Sequence, residues 1–138
     1  MNLRKHENIF SGFLLLSFMT IMIPKELQGI ELNQYLWKNR SILTFVEDEH
    51  HPDLIKLIAE MKKNNCEILN RELLHFHFSN GHKIGNLITT NDQSFRILLI
   101  GKDGGIKYES NRSVSLIQLF KLIDSMPMRK NEMQNDRC

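Results

Sequence analysis

Three histidines are the residues of this chain whose types and spacing best suit chemistry. His75 and His77 alternate with apolar residues in a predicted strand, so both lie on one face of it, and His82 follows. Their imidazoles could bind zinc or copper, and three methionines within residues 126–133 could bind Cu(I). Histidines on a half-exposed strand and methionines beneath a helix end need no metal, however. We therefore predict no metal site and no cofactor.

A second candidate is the polar segment EDEHH at residues 47–51. It follows a predicted buried strand, and open α/β sheets usually bind ligands beyond the carboxyl ends of such strands. Carboxylates and imidazoles there could hold a metal, but a solvated loop has the same composition. The solvated loop is the interpretation that we adopt.

The chain has two cysteines, Cys66 and Cys138, and no Cys-x-x-Cys pair. A reactive thiol usually lies at the amino end of a helix or beside a cation. Cys66 is predicted near the carboxyl end of the first helix, which indicates a structural role. Cys138 ends a polar tail, so a disulfide between the two is possible in an oxidising compartment but is not implied.

Hydrophobic patterns predict the elements that position these residues. Residues 41–46 form a nearly continuous apolar run, as in a strand buried on both faces. Pro52 begins an amphipathic helix that ends near residue 64. Residues 74–78 alternate as a second strand. We predict an irregular loop after it, with one helical turn near Leu87.

The second half of the chain predicts a hairpin and a closing helix. Strand patterns at residues 95–100 and 106–109 flank an Asp-Gly turn, which is a strong hairpin signal. Ser115 and Gln118 form a capping box for a helix that stops before Pro127. This order predicts an α/β fold, namely a thioredoxin-like three-layer sandwich with a βαβ unit, a β-hairpin and a C-terminal helix.

The amino terminus predicts export. Arg4 and Lys5 precede an apolar run at residues 13–23, which is too short to span a bilayer as a helix. Pro24 ends this run, and we predict cleavage after Gly29. The alternative is an uncleaved anchor. We expect a secreted or periplasmic protein that keeps no membrane segment after cleavage.

The predicted domain organisation follows from that cleavage. Residues 1–29 are the signal peptide, residues 30–129 the domain, and residues 130–138 a polar and loose C-terminal tail. The formal net charge of +2 and the lack of a basic stripe argue against a nucleic-acid partner.

Four segments of the chain together resemble one family. They are WKNR at residues 37–40, NREL at 70–73, LLIGKDGGIK at 98–107, and LIDSMPMR at 122–129 with Glu132 and Met133. The family is domain of unknown function 4174, which is similar to a domain of vertebrate sushi-repeat extracellular proteins and related matrix proteins. The resemblance covers roughly residues 35–133.

This resemblance implies a thioredoxin- or peroxiredoxin-like fold outside the cytoplasm, without established catalysis. Animal members of the family are linked to cell adhesion and matrix. We expect Arg129 to pair with Asp124 or Asp103 and so to tie a helix end to the hairpin turn. The chain departs from the family before Phe95, where members usually have a helix. The signature residues that could form a surface are Lys102, Asp103, Gly104, Gly105, Asp124, Pro127 and Arg129.

Two function classes follow, and the sequence favours the first. It is a non-catalytic binding or structural module whose partner is an unidentified protein, envelope or matrix component. Thiol exchange needs a thiolate at the start of the first helix, where this chain has HHPD at residues 50–53, and no Pro precedes Phe95, where thioredoxins hold a cis-Pro. The second class is a thiol-dependent redox or peroxiredoxin-like enzyme that uses Cys66.

Overall fold

The computed structural model describes residues 32–81, 83–84, 87–88 and 94–136. The predicted signal peptide, His82 and Cys138 lie outside these residues, so the predicted domain limits stay predictions. None of the helices described there is long and apolar enough to cross a membrane.

The described residues form six strands, four α-helices and two 3₁₀ turns. The strands are β1 (Arg40–Val46), β2 (Leu73–Ser79), β3 (Lys83–Ile84), β4 (Leu87–Ile88), β5 (Phe95–Ile100) and β6 (Ile106–Ser110). The helices are α1 (Pro52–Lys63), α2 (Asn65–Asn70), α3 (Leu116–Asp124) and α4 (Pro127–Glu132). The 3₁₀ turns are Leu32–Tyr35 and Met133–Asn135.

The main sheet has four strands in the order β2-β1-β5-β6. β1 is parallel to β2 through the α1–α2 crossover, and it is antiparallel to β5, which forms a hairpin with β6. β1 is central, and all seven of its residues are buried, as the nearly continuous apolar run at residues 41–46 predicts. The predicted βαβ unit, hairpin and closing helix are confirmed.

Each face of the sheet buries its own apolar cluster. Ile42, Val46 and Leu99 pack beneath α1 and α3, which contribute Leu54 and Leu119 among others. The opposite face holds a smaller cluster of five buried residues, with Leu32 of the first 3₁₀ turn packed against it. Those five are Leu43, Phe45, Phe78, Leu98 and Ile100. Burial of aliphatic and aromatic side chains stabilises each by about 1.5–3 kcal/mol relative to an exposed position.

Both long helices begin where the sequence predicts. Pro52 is the first residue of α1, where its missing N–H costs nothing, and α1 ends at Lys63. Ser115 caps α3, because its hydroxyl oxygen accepts a hydrogen bond from the backbone N–H of Gln118. The two helices lie on the same face of the sheet.

Two predicted features are wrong. The helical turn near Leu87 is instead the short β3–β4 hairpin, in which Ile84 pairs with Leu87. Gly and Asn fill the two positions between these strands, which is a hairpin signal that the loop interpretation overlooked. Residues 130–135 of the predicted loose tail are helical, because Pro127 starts α4 as well as ending α3, and the second 3₁₀ turn continues it.

Candidate functional site

The amino end of α1 lies where β1 finishes, and it carries no sulfur. The Nδ1 atom of His51 accepts a hydrogen bond from the backbone N–H of Asp53 at 3.2 Å, and Pro52 occupies the first helical position. The His51 ring stacks on Phe95, with ring centroids 5.3 Å apart. A thiolate here would gain from the positive end of the helix dipole, but an imidazole and a proline occupy the place.

The polar loop before α1 is exposed and hydrogen-bonded to itself. The backbone N–H of His50 donates to Asp48 Oδ1 at 2.9 Å, and His50 Nδ1 lies 3.2 Å from the same oxygen. The hydrogen bond from this backbone N–H is the main reason that the pKa of Asp48 lies below its ordinary value. Both side chains are mostly in solvent. The geometry is that of a solvated loop.

The two strand histidines lie on the face of β2 that matches Ile42 and Thr44 of β1. The Nε2 atom of His75 is 2.9 Å from the Thr44 hydroxyl, and the rings of His75 and His77 are 6.2 Å apart. Burial, with a smaller contribution from His77, lowers the pKa of His75 to about 4. Within the part of the chain that the structure describes, no three His, Cys, Asp or Glu side chains form a metal-binding group.

Cys66 is not at the carboxyl end of the first helix, and that prediction is wrong. α1 stops at Lys63, Asn64 caps it, and Cys66 is the second residue of the separate helix α2. Its side chain is exposed and in a disulfide. Because α1 leads from the end of β1 back to where the parallel strand β2 begins, Cys66 lies toward the opposite end of the sheet from His51.

Four cations are buried at the end of the sheet where β1 and β2 begin and β5 ends, which we call the base. They are Arg40, Arg71, Lys102 and Arg129, with exposed fractions of 1%, 7%, 8% and 1%. An unpaired buried cation costs several kcal/mol, so each must have partners. Five carboxylates supply them, from Glu67, Glu72, Asp124, Glu132 and Asp136. We call these nine residues the base network.

Glu132 of α4 joins two of the cations. Its Oε2 atom lies 2.9 Å from Arg40 Nη1, and its Oε1 atom lies 2.7 Å from Lys102 Nζ. Lys102 also contacts Glu72, and Arg40 Nη1 donates to the carbonyl oxygen of Arg71 at 3.0 Å. Burial by itself raises the pKa of Glu132, but hydrogen bonds and charges from Arg40 and Lys102 outweigh it and leave the pKa below its ordinary value.

Asp124, at the end of α3, joins the other two cations. Its Oδ2 atom is 2.6 Å from Arg71 Nη2, and its Oδ1 atom is 3.1 Å from Arg129 Nε. The Arg71 guanidinium also lies over the Phe120 ring, 4.2 Å from its centroid. Arg129 donates to the carbonyl oxygen of Asn70 at 2.7 Å. The guanidinium groups of Arg71 and Arg129 therefore connect α2, α3 and α4.

The backbone beside the network is held in an unusual conformation at two places. Trp37 has a φ of 62° and Glu72 a φ of 47°, which is the left-handed region that side chains disfavour. Trp37 N donates to the carbonyl oxygen of Lys102 at 2.7 Å, and the carbonyl oxygen of Glu72 accepts from Arg40 N at 2.9 Å. Such conformations cost about 1–3 kcal/mol and persist only where surrounding contacts fix them.

The hairpin turn also lies at the base. Gly104 has a φ of 79°, and the Gly101 N–H donates to the Gly105 carbonyl oxygen at 2.8 Å. Asp103 pairs with Lys107 at 2.6 Å, and the hydrogen bond from that lysine holds the pKa of Asp103 below its ordinary value. The carboxylate of Asp103 is therefore paired with groups of the turn itself.

A cleft of about 240 Å³ opens between α2 and the C-terminal helices. Leu69 and Asn70 of α2 and Glu72 form one wall, and Glu132 and Asn135 form the other. Both glutamates contact Lys102, so the carboxylates in the walls are already paired.

The predicted signature residues meet at the base, but not all of them are on its surface. Lys102 and Arg129 are buried, so the prediction of a surface is wrong for these two. Asp103, Gly104 and Pro127 are exposed, and Gly105 and Asp124 are partly exposed. Arg129 pairs with Asp124 as expected, and the alternative pairing with Asp103 is wrong.

The sequence reasoning missed Arg40, Arg71 and Glu132 as members of one network. All three lie inside the four family-like segments, and Arg40 directly precedes an apolar strand. A charged residue at the first position of a buried strand is the signal that could have revealed a buried ion pair.

Comparisons with known proteins agree with this architecture. The structure is similar to reduced 2-Cys peroxiredoxin from Plasmodium vivax, with a TM-score of 0.50 and 14% identity over 72% of this chain and 84% of that one. It also matches peroxiredoxin Prx1a from Plasmodium yoelii, described as modified at its N-terminus and forming an artifactual octamer, with a TM-score of 0.47 and 16% identity over 78% and 83% of the two chains.

At these identities the likeness shows the fold alone, which is thioredoxin-like. No curated protein sequence matches the chain. The family model described as domain of unknown function (DUF4174) matches residues 31–132, which include all four segments through residue 132. The chain therefore belongs to the DUF4174 family.

Proposed function

We propose that this protein is a non-catalytic thioredoxin-like module that binds a partner or has a structural role in the cell envelope or extracellular space. The amino end of α1 carries the argument. His51 caps this helix and Pro52 begins it, so the amino end of α1, which would favour a thiolate, holds no sulfur. Ser94, not a proline, precedes β5.

The base network supports a structural or binding role for the four segments that resemble the family. Its buried cations contact carboxylates and backbone carbonyl oxygens of the protein itself, as Arg40 does with Glu132 and the carbonyl of Arg71. Charges paired in this way hold several elements in one geometry, and they stabilise a rigid end for the domain. They do not resemble a site in which a group is kept ready to exchange a proton or an electron pair.

The proposed location rests on two observations. The basic start and short apolar run at residues 4–23 are typical of a secretory signal peptide. The disulfide at Cys66 fits an oxidising compartment, because thiols in the cytosol are kept reduced. We propose that the mature protein is secreted or periplasmic and that its partner is a protein or a component of the envelope or matrix.

A thiol-dependent redox enzyme is the second candidate. The exposed, disulfide-bonded side chain of Cys66 favours it, because such a sulfur is open to thiol–disulfide exchange. A peroxidase of this kind would pass two electrons from Cys66 and a second thiol to a hydroperoxide. The products would be a disulfide, water and an alcohol, and an external dithiol would restore the thiols.

One assay separates the two candidates. Hydroperoxide consumption and insulin-disulfide reduction are measured with dithiothreitol as reductant, for the parent protein, for Cys66→Ser and for Asn65→Ser as a matched control on the same helix. We expect all three to match the protein-free blank. Activity in the parent and in Asn65→Ser that is lost in Cys66→Ser would refute the proposal.

The binding part of the proposal needs a positive result. Immobilised mature protein is used to capture components of an envelope extract, with heat-denatured protein as the control. We expect at least one component to be retained by the folded protein alone. Equal retention by both samples would contradict a binding role.

A further inference from the structure

We propose that the base is a docking surface for a partner protein whose docking segment carries arginine or lysine beside large apolar side chains. Such a surface would give the proposed binding role, on which this inference rests, a place and a partner chemistry. Three features of the base point to it: exposed apolar side chains, strained backbone beside them, and carboxylates around the cleft.

Exposed apolar side chains are concentrated at the base. The part of the chain that the structure describes has seven large apolar side chains that are exposed, and five of them are at this end of the sheet. The five are Trp37 before β1, Leu69 in α2, Ile106 at the start of β6, Met128 in α4 and Met133 beside Glu132. Trp37 and Leu69 are the most exposed of these, at 67% and 63%. Apolar side chains gathered at one surface mark interaction sites, and tryptophan is enriched among residues that dominate binding.

Strained backbone occurs at the same end. Among the described residues other than glycine, only Trp37 and Glu72 have a positive φ. Trp37 N bonds to the carbonyl oxygen of Lys102, and the Glu72 carboxylate contacts the ammonium group of the same lysine. An indole that is two-thirds exposed adds little to the core, so packing does not explain why a tryptophan is held in this conformation. Strained residues of this kind cluster at functional sites.

The charges of the base network are layered, with cations inside and carboxylates outside. The side chains of the four cations are 1–9% exposed, whereas those of the five carboxylates are 23–48% exposed. A partner therefore meets an acidic surface, although the formal net charge of the chain is +2. Cations on the partner complement such a surface, and phosphates or anionic lipid headgroups are repelled by it.

The cleft of about 240 Å³ gives room for one long basic side chain. Leu69 lines it, and Lys102, whose carbonyl oxygen bonds Trp37 N, contacts both glutamates of its walls. Glu72 reaches Lys102 through Oε2, and no group in the described part of the chain bonds its Oε1 atom. That oxygen and the side-chain amide of Asn135 can accept hydrogen bonds from a guanidinium or ammonium group. We assign the cleft to the basic side chain of the partner, and Trp37 and Leu69 to its apolar ones.

The fluorescence of Trp37 tests the partner chemistry, because this residue is the only tryptophan of the chain. A nine-residue peptide of alternating arginine and leucine is titrated into the purified protein. One control peptide has glutamate in place of arginine, and a second has serine in place of leucine. We expect the first peptide to shift the Trp37 emission to shorter wavelength and to bind at least about tenfold more tightly than either control. Equal binding of the glutamate peptide, no shift at about 1 mM peptide, or a shift with anionic lipid vesicles instead would overturn the proposal.

Substitutions test the place. The affinity of the fluorescein-labelled arginine–leucine peptide is measured by anisotropy for the parent, Trp37→Gly, Leu69→Ala and Ile117→Ala. Glycine suits the positive φ at position 37, so this variant should keep the fold, which far-UV circular dichroism verifies. Ile117 is 66% exposed near the amino end of α3, at the opposite end of the sheet, and is the matched control. We expect Trp37→Gly and Leu69→Ala to bind about tenfold more weakly, with Ile117→Ala unchanged. Equal affinity in all four proteins would refute the docking surface.

Capture from the envelope extract separates this surface from the binding role in general. Retention that is lost in Trp37→Gly and kept in Ile117→Ala supports the surface. Equal retention by the parent and both variants would refute the surface and leave the binding role standing. A parent that retains no more than heat-denatured protein would contradict the binding role itself.

Discussion

Replacing Glu132 by Gln tests whether the base network depends on charge. Gln keeps the size of the side chain and one carbonyl oxygen, but it removes the negative charge from between Arg40 and Lys102. Lys102 keeps Glu72, whereas Arg40 loses its only carboxylate partner in the network. Because Arg40 is 1% exposed, its guanidinium is largely shielded from bulk water.

The expected loss can be estimated from this geometry. Breaking a buried ion pair by removing one partner costs about 3–5 kcal/mol. Because Gln retains one side-chain oxygen, we expect the loss in Glu132→Gln to be at the low end of this range, about 3 kcal/mol. For a domain of this size, this corresponds to a fall of about 10–15 °C in Tm. Urea and thermal unfolding followed by far-UV circular dichroism measure both values.

A matched control is available on the surface of the same protein. Glu109 pairs with Arg96 at 2.6 Å but is 47% exposed, so Glu109→Gln should cost less than about 1 kcal/mol. A double-mutant cycle of Glu132→Gln with Arg40→Met should give a coupling energy of about 1–3 kcal/mol. A loss in Glu132→Gln no larger than that in Glu109→Gln would refute the view that the base requires this charge.

Three further predictions concern other residues. The pKa of His75 is about 4 in the folded protein, against 6.5 in the unfolded chain, so only the unfolded chain takes up this proton between those pH values. The free energy of unfolding, measured with urea, should therefore fall by about 2 kcal/mol from pH 7 to pH 5. His75→Gln should remove that fall, whereas the exposed His50→Gln should not. Gly104→Ala should lower the free energy of unfolding by about 1–3 kcal/mol, because the φ of Gly104 is +79° and the new methyl group would lie 2.8 Å from the side chain of Leu36. Gly105→Ala is the control, since its methyl group meets only ordinary contacts, and equal effects of the two variants would contradict this reasoning. Arg129→Ala should cost about 3–5 kcal/mol, because two carboxylates lose a buried cation, and unchanged urea unfolding would show that the arginine does not tie the helices together.

The pH dependence of the base network follows from the pKa of Glu132. This pKa is lower in the folded protein than its ordinary value of 4.5, so the network's contribution is fully present above that value and is lost as the pH falls through the folded-state pKa. The acid loss that remains in a His75→Gln background should therefore begin below about pH 5 and should be smaller when Glu132→Gln is added. Equal acid losses in the two variants would contradict this assignment.

The sequence by itself determined the sheet and its two long helices. The nearly continuous apolar run of β1 is typical of a strand covered on both faces, and Pro52 and Ser115 fix two helix starts through local backbone chemistry. These signals are read within a few residues, so no tertiary information is needed. The absence of sulfur at the start of α1 was equally local.

Only the tertiary structure decided how the charged residues are used. Arg40 and Glu132 are 92 positions apart, and no local pattern in the sequence pairs one with the other. Whether such residues are exposed or buried depends on which segments the fold brings together, and the pairing of distant ions follows from that packing.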